Sequence, residues 1–230
     1  MFYYLKKFFR HQCPVSFIKR QKQEVISFKS ADKKIENVTA AILCGGKSRR
    51  MGFDKAFLMD DEQYLLLQTA GKLQSLFEQV VLVSNTKAKF DGRTDFTEFR
   101  ILEDHYMEKG PMGGISTALE QVQTEYIFIM ACDMPLPDIG LIGRMYRKLE
   151  EEQVLVCSHQ GKLEPLLAFY HKSCLPVFKK QLEIGELKPR SAFPALKVGL
   201  YCLSDTEINA IVNLNTPDDV QNWNQKTTKK

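Results

Sequence analysis

The sequence predicts an α/β fold, a mostly parallel sheet with helices on both faces. Three observations carry this. Short, continuous apolar runs recur and stop at glycine or a polar residue, as strands buried on both faces do. Segments with helical spacing of apolar residues lie between them. The connections are short, so strands and helices alternate.

The elements follow in order. Val38 to Cys44 is an apolar run that ends in Gly45-Gly46, a strand entering a turn. Glu62 to Phe77 has helical spacing at Leu66, Ala70, Leu73 and Phe77. Gln79 to Asn85 reads as a second buried strand, and Phe99 to Asp104 as a shorter third. Gly113 to Val122 reads as a helix. Glu125 to Pro135 is the strongest strand and stops at Asp133. Asp138 to Glu152 reads as a helix with Asp138 as its N-cap. Gln153 to His171 reads as two strands around a turn at Gly161, and Lys172 to Glu186 as a helix. Glu207 to Trp223 reads as a strand, a turn at Asn215-Thr216-Pro217 and a last helix.

Composition sets limits on function. At 44% hydrophobic and 26% charged residues, 230 residues make an ordinary globular chain with enough length for one substantial core. No apolar run approaches the ~20 residues of a membrane span. The net charge is +4, but residues 1–36 carry nine Lys/Arg against three acids, which leaves the rest at −2. A nearly neutral body gives no reason to expect nucleic acid as a partner. Residues 1–36 read as a basic extension, disordered or loosely docked. Its Phe2, Tyr3, Phe8 and Phe9, beside Lys6, Lys7 and Arg10, suit contact with an anionic membrane or a partner. Residues 37–230 read as a single domain. The six cysteines show no CxxC spacing, so buried reduced thiols and a cytoplasmic location are expected.

The residues just after parallel strands gather on one sheet edge, where ligands bind. Here they are Cys44 to Gly46, Ser84-Asn85, Glu103-Asp104 and Cys132-Asp133. Gly46-Lys47-Ser48 resembles the end of a P-loop, GxxxxGK[ST], but the first glycine position is Ala41, inside the strand. A P-loop is therefore excluded. A different phosphate cradle is expected: Gly45 and Gly46 bring backbone N–H groups close to an anion, and Lys47, Ser48, Arg49, Arg50 and Lys55 add charge and a hydroxyl. Asp133 ends a very apolar strand, so its carboxylate is expected at the sheet edge. A hard cation such as Mg²⁺ binds through one or two carboxylates, waters and phosphate oxygens. Asp104 is either a second acid or a nucleotide contact. The loop Glu108 to Gly114, opening a helix, suits close approach of a nucleobase or sugar, with Gly113 among its contacts.

The stretch from Leu43 to Gly52, with Asp54-Lys55, resembles the signature of the MobA-type nucleotidyltransferases, the molybdenum cofactor guanylyltransferases. The resemblance continues through Glu103-Asp104, Gly110 to Gly114, Cys132 to Pro135, Glu164-Pro165-Leu166 and Asn213 to Pro217, roughly Val38 to Trp223. It implies a Rossmann-like fold that joins GMP from GTP to the phosphate of molybdopterin and releases pyrophosphate. By motif, Leu43, Cys44 and Gly45 would contact GTP through the backbone. Lys55 would bind the phosphates, Asp104 the nucleotide, and Asp133 Mg²⁺. Asn213 and Asn215 would lie on the pterin side. Cys44 stands where alanine is usual. An asparagine is usual where Val83 aligns, with Asn85 two residues further on. Proteins that hand over or accept the cofactor are possible partners. A phosphate nucleophile is already ionised, so no general base is needed, and His105, His159 and His171 read as surface or packing residues. The alternatives are a molybdopterin cytidylyltransferase, another small-molecule nucleotidyltransferase, or a non-catalytic relative. The last would be expected to lack Lys55 or Asp133.

Overall fold

The computed structural model describes residues 34–45, 53–60, 62–134, 137–216, 218–221 and 223. Seven strands form one sheet. They are β1 (Ile35–Leu43), β4 (Phe77–Ser84), β5 (Arg100–Glu103), β6 (Tyr126–Ala131), β7 (Val154–His159), β8 (Lys162–His171) and β9 (Val198–Cys202). Their order across the sheet is β5-β4-β1-β6-β8-β7-β9. A separate two-stranded ribbon pairs β2 (Met59–Asp60) with β3 (Gln63–Tyr64). The pairs β1/β4, β1/β6, β4/β5 and β7/β9 are parallel, while β8 runs antiparallel to both neighbours. The mostly parallel sheet expected from the sequence is present, with one reversed strand.

Four helices cover the faces: α1 (Leu65–Leu76), α2 (Gly110–Gln121), α3 (Ile139–Arg147) and α4 (Leu175–Glu183). Alternate residues of each central strand point to opposite sides, so one sequence of apolar residues serves two cores. Ala40, Ile42, Phe128 and Met130 pack on the side of α1 and α3, with Leu66, Leu73, Leu141 and Met145. Ala41, Leu43, Ile127 and Ile129 pack on the side of α2 and α4, with Ile115, Leu119, Phe178 and Leu182. A leucine buried in this way contributes about 1.5–3 kcal/mol.

Several boundaries differ from the expectation. β1 begins at Ile35, inside the segment read as an extension, because Ile35 is buried and pairs with Phe77. α2 begins at Gly110, three residues early, with Pro111 in its first turn, where the missing N–H costs nothing. Asp138 caps α3 as expected, accepting from the Leu141 amide at 2.9 Å. The hairpin at Gly161 is present: Gln160 and Gly161 have φ of 48° and 75°, the left-handed pair a two-residue turn of this kind requires. The strand expected before Asn213 is absent. Ile208–Ile211 is a 3-10 turn, and residues 212–215 run without regular structure. β9 was not expected. Cys44, Cys132, Cys157 and Cys174 are free and buried, whereas Cys202 departs from the expectation and is disulfide-bonded.

Candidate active site

The chain leaves β1 toward β4 and β5 on one side, then crosses to β6 on the other. The order reverses beside β1, and the carboxyl ends of β1 and β6 flank the crevice this creates. A pocket of about 550 Å³ lies there, lined in part by Leu43, Cys44, Gly45, Lys55, Asp104 and Asp133. That volume suits a nucleotide.

β1 ends in the register Leu43 to Ala131, so Cys44 and Cys132 leave the sheet side by side, and Cys132 N–H donates to Leu43 O at 3.1 Å. Cys44 N–H donates to Val83 O at 2.7 Å. Its thiol is held well above the ordinary range by burial and then by the adjacent Cys132, so it stays a neutral packing group. Gly45 is there for close approach: a Cβ at this position would collide with Asn85 Oδ1. Asn85 lines the pocket. Val83 packs in the α2 core and also lines the pocket, with Ser84 at the end of β4 and Asn85 just after it adding polar side chains.

Asp104 follows β5 and is buried. Its Oδ1 accepts from Thr117 Oγ1 at 2.7 Å and Tyr106 N–H at 2.9 Å, which fixes the carboxylate at the pocket wall. Gly110, Pro111 and Gly114, from the first turns of α2, line the same wall, and that helix end favours anions. Gly113 is not among the lining residues. It faces away, where a Cβ would lie 2.9 Å from Tyr106 O, and so serves packing.

The charged edge is built from three distant segments. Asp54 caps a 3-10 turn, Lys55–Phe57, by accepting from Ala56 N–H at 3.0 Å. The turn presents Lys55, whose Nζ donates to Asp133 Oδ2 at 2.8 Å and Asn215 Oδ1 at 2.9 Å. The Lys55 and Asp133 side chains are 16% and 20% exposed, so this pair is largely shielded from water. Asn215 arrives because Leu214 is anchored. Leu214 packs on Leu58 and Leu65, and its N–H donates to Asp133 O at 2.8 Å. Asp219 Oδ2 then accepts from the Asn215 and Thr216 amides at 2.9 and 2.8 Å, a helix-capping arrangement that fixes the loop.

Glu164 comes from β8. Burial pushes its carboxyl pKa up, opposed by the Leu166 N–H it accepts; the nearby charge of Asp133 adds to the rise and Arg190 offsets part of it. Among the described residues no three His, Cys, Asp or Glu side chains form a metal cage. One carboxylate on the wall of a nucleotide-sized pocket is the donor set of a hard divalent cation that keeps waters and takes substrate oxygens, and Asp133 fits it.

Lys55, Asp133, Asp104, Asn85 and the Leu43–Gly45 stretch therefore meet at one pocket. Asn213 and Asn215 are both half-buried and lie outside its lining, and Asn215 meets the site through Lys55 Nζ. Gly46 and Arg50 lie outside the described residues. Two contributors were not singled out from the sequence, and Lys89 had no signal of its own. Lys89 donates to Cys44 O at 2.6 Å and Asp54 Oδ2 at 3.1 Å. Leu214 had a weak signal, an apolar residue between two asparagines.

A nucleotide-sized pocket at the switch point of a doubly covered sheet, with a lysine and a carboxylate converging on its edge, defines a nucleotide-handling α/β enzyme. Residues 40–196 match the MobA-like NTP transferase domain, and the chain belongs to that family of nucleotidyltransferases. It is 33% identical over 198 residues to the molybdenum cofactor guanylyltransferase of Syntrophotalea carbinolica, covering 82% of this chain and 91% of that one. It is 32% identical over 195 residues to the probable molybdenum cofactor guanylyltransferase of Natranaerobius thermophilus, covering 81% and 94%. The solved structure of molybdopterin-guanine dinucleotide biosynthesis protein A from Archaeoglobus fulgidus superposes with a TM-score of 0.74 at 25% identity, covering 85% of this chain and 100% of that one. No helix among the described residues is long and apolar enough to cross a membrane.

Proposed function

We propose that the protein transfers GMP from GTP to the terminal phosphate of molybdopterin, carrying molybdenum or not, and releases pyrophosphate. The observation that carries this is Lys55, held by Asp133 and Asn215, at a pocket that Lys55 and Asp133 both line. The names of the relatives supply the substrates.

The chemistry needs little beyond positioning. A phosphate oxygen of molybdopterin attacks the α-phosphorus of GTP in line. The new P–O bond forms as the bond to the β-phosphate oxygen breaks, and pyrophosphate leaves. Both reactants are anions, so their repulsion dominates the barrier, and groups that offset it without rearranging are the most effective. Lys55 is held at the pocket edge by Asp133 and Asn215, and exchanges these partners for phosphate oxygens when the triphosphate binds. Asp133 would hold Mg²⁺, which when bound supplies a Lewis acid for the α-phosphate. The Leu43–Gly45 backbone, Asn85 and Asp104 would hold the nucleoside, beside the first turns of α2, where the neighbouring Gly113 serves packing. Gly46 and Arg50 would complete the phosphate cradle. The segment with Asn213 and Asn215 would face the acceptor. No base is required, because the attacking phosphate is already ionised near neutral pH. The free thiols at Cys44, Cys132, Cys157 and Cys174 support a cytoplasmic setting, and the disulfide at Cys202 weighs against it. The presence of both Lys55 and Asp133 argues against a non-catalytic relative.

The test is incorporation of label from α-³²P nucleotides into molybdopterin with Mg²⁺. Label from GTP is expected. Label from CTP alone would replace guanylyl with cytidylyl transfer, and no label from either would remove the transfer reading.

A further inference from the structure

Asp54 lines a pocket that receives a triphosphate, and it lies next to the lysine that must bind that triphosphate. A bare carboxylate there would repel the substrate. Like charges a few ångströms apart in a partly shielded site repel strongly, so the charge needs a counterpart.

Lys89 provides it. This residue lies in the 3-10 turn Ala88–Phe90, four residues beyond Asn85. Its Nζ is 3.1 Å from Asp54 Oδ2 and donates to the Cys44 carbonyl at 2.6 Å. It stands 5.2 Å and 5.8 Å from the ring centroids of Phe90 and Phe57, and its side chain is only 16% exposed. Lys89 is absent from the pocket lining, whereas both groups it binds are part of it. From Lys89 the contacts run on in series. Asp54 Oδ2 meets Lys89 while Oδ1 caps the turn through Ala56 N–H. The first residue of that turn is Lys55, and Lys55 reaches Asp133.

We infer that Lys89 is a positioning residue of the nucleotide site: it neutralises Asp54 and pins the Cys44 carbonyl, so that Lys55 is presented to the phosphates, and it does not itself touch the nucleotide. The role rests on the nucleotide-transfer reading of the pocket. Rotation of the Asp54 carboxylate toward the pocket in the absence of Lys89 would both misplace the Lys55 turn and set a negative charge against the substrate. Misplacement of about 1 Å in such a site can cost 10²-fold.

A mutant cycle tests this. Lys89→Met keeps the stem over the rings and removes the charge. Its kcat/KM for GTP should fall about 10- to 100-fold, with the unfolding midpoint within roughly 5 °C of wild type. Lys89→Arg should recover to within about fivefold of wild type, because a guanidinium fork reaches a carbonyl and a carboxylate together. In an Asp54→Asn background, where no charge needs neutralising and only the tie to the Cys44 carbonyl is lost, Lys89→Met should cost about threefold or less. An unimpaired Lys89→Met, an Arg variant as poor as the Met variant, or a full loss repeated in the Asp54→Asn background would each overturn the role. Should Lys89→Met fail to fold, Lys89→Gln, which still offers a donor to the Cys44 carbonyl, takes its place in the same cycle. Wild-type protein that transfers from neither GTP nor CTP would sink the transfer reading alone. The Lys89 cycle is then read by calorimetric binding of Mg·GTP to the same variants, with the same ratios deciding it.

Discussion

On one flank of β6, the strands β1, β4 and β5 meet the pocket end-on. Their last residues and the loops that follow supply Gly45, Asn85 and Asp104, each within a residue or two of a strand terminus. On the other flank nothing is delivered this way. β8 runs in reverse and offers side chains such as Leu166 from its middle, and Asn215, outside the lining, is brought to Lys55 by an irregular segment anchored at Leu214. The difference is one of mechanism. A parallel sheet places its strand ends by backbone hydrogen bonding alone, whereas the far flank depends on single apolar anchors and capping bonds. Damage to the first flank should appear as lost chemistry in a stable protein. Damage to the second should appear as lost local order.

Asp133 sits at the junction and touches both flanks, so its replacement should have the largest effect. Asp133→Ala should reduce GMP transfer by about 10³-fold or more while the fold persists, as removal of one key stabilising group does in preorganised sites. Label incorporation together with circular dichroism checks it. Transfer at a tenth of wild type or better would remove the metal-holding role from Asp133.

Leu214→Ala tests the far flank. A fully buried leucine replaced by alanine costs about 2–5 kcal/mol, but here the loss should be confined to the segment that Leu214 anchors. Amide exchange at residues 213–216 should accelerate strongly while β1 and β6 remain protected. Transfer should fall about tenfold as Asn215 leaves Lys55. Uniform loss of protection across the sheet would show that the segment is integral to the core, and the contrast between flanks would fail.

On the near flank the matching change is Gly45→Ala. The new Cβ must displace the Asn85 side chain, and the strand itself has no reason to unfold. KM for GTP should rise about tenfold with little change in melting temperature. Because the two residues share one contact, Asn85→Ala should add little to Gly45→Ala. Fully multiplicative effects would mean that Asn85 is not the group displaced.

The same contrast governs what was legible in the sequence. β1, β4 and β6 announce themselves because both of their faces are buried, which demands unbroken apolar runs. Asp104 and Asp133 could be singled out because polar residues that follow such runs have only the sheet edge to occupy, whereas Lys55 was singled out by the basic loop after Gly45 and by the resemblance. β9 was not, because it is an edge strand with Gly199 and three half-buried positions. The segment before Asn213 was misread for the opposite reason: Ile208, Ile211, Val212 and Leu214 look like a strand, yet two of them are exposed and Leu214 packs outside the sheet. Lys89 left no trace because its partners Cys44 and Asp54 lie 45 and 35 residues away. Composition and periodicity carry no distance of that kind.

The smallest effect expected lies far from the pocket, where β9 and the segment that follows it are tied to α3. Arg144 donates to Glu207 Oε1 at 2.7 Å, and Ser204 donates to Glu207 through its amide at 3.0 Å and its hydroxyl at 2.8 Å. Burial works to raise the Glu207 pKa, but the Ser204 amide, Arg144 and the Ser204 hydroxyl together hold it below its usual value of 4.5. A carboxyl whose folded pKa is depressed contributes stability above its unfolded value and loses it as pH falls through the folded one. Glu207→Gln should therefore destabilise by roughly 1 kcal/mol at pH 7, with partial exposure of Arg144 limiting the size. The gap to wild type should close as the pH drops from about 5 toward the depressed pKa. Melting curves at pH 7 and near pH 3 decide it. A gap that stays constant with pH would mean that the network acts through shape and not charge. Unchanged GMP transfer at pH 7 would confirm that the far flank can lose a tie here without disturbing the anchor at Leu214.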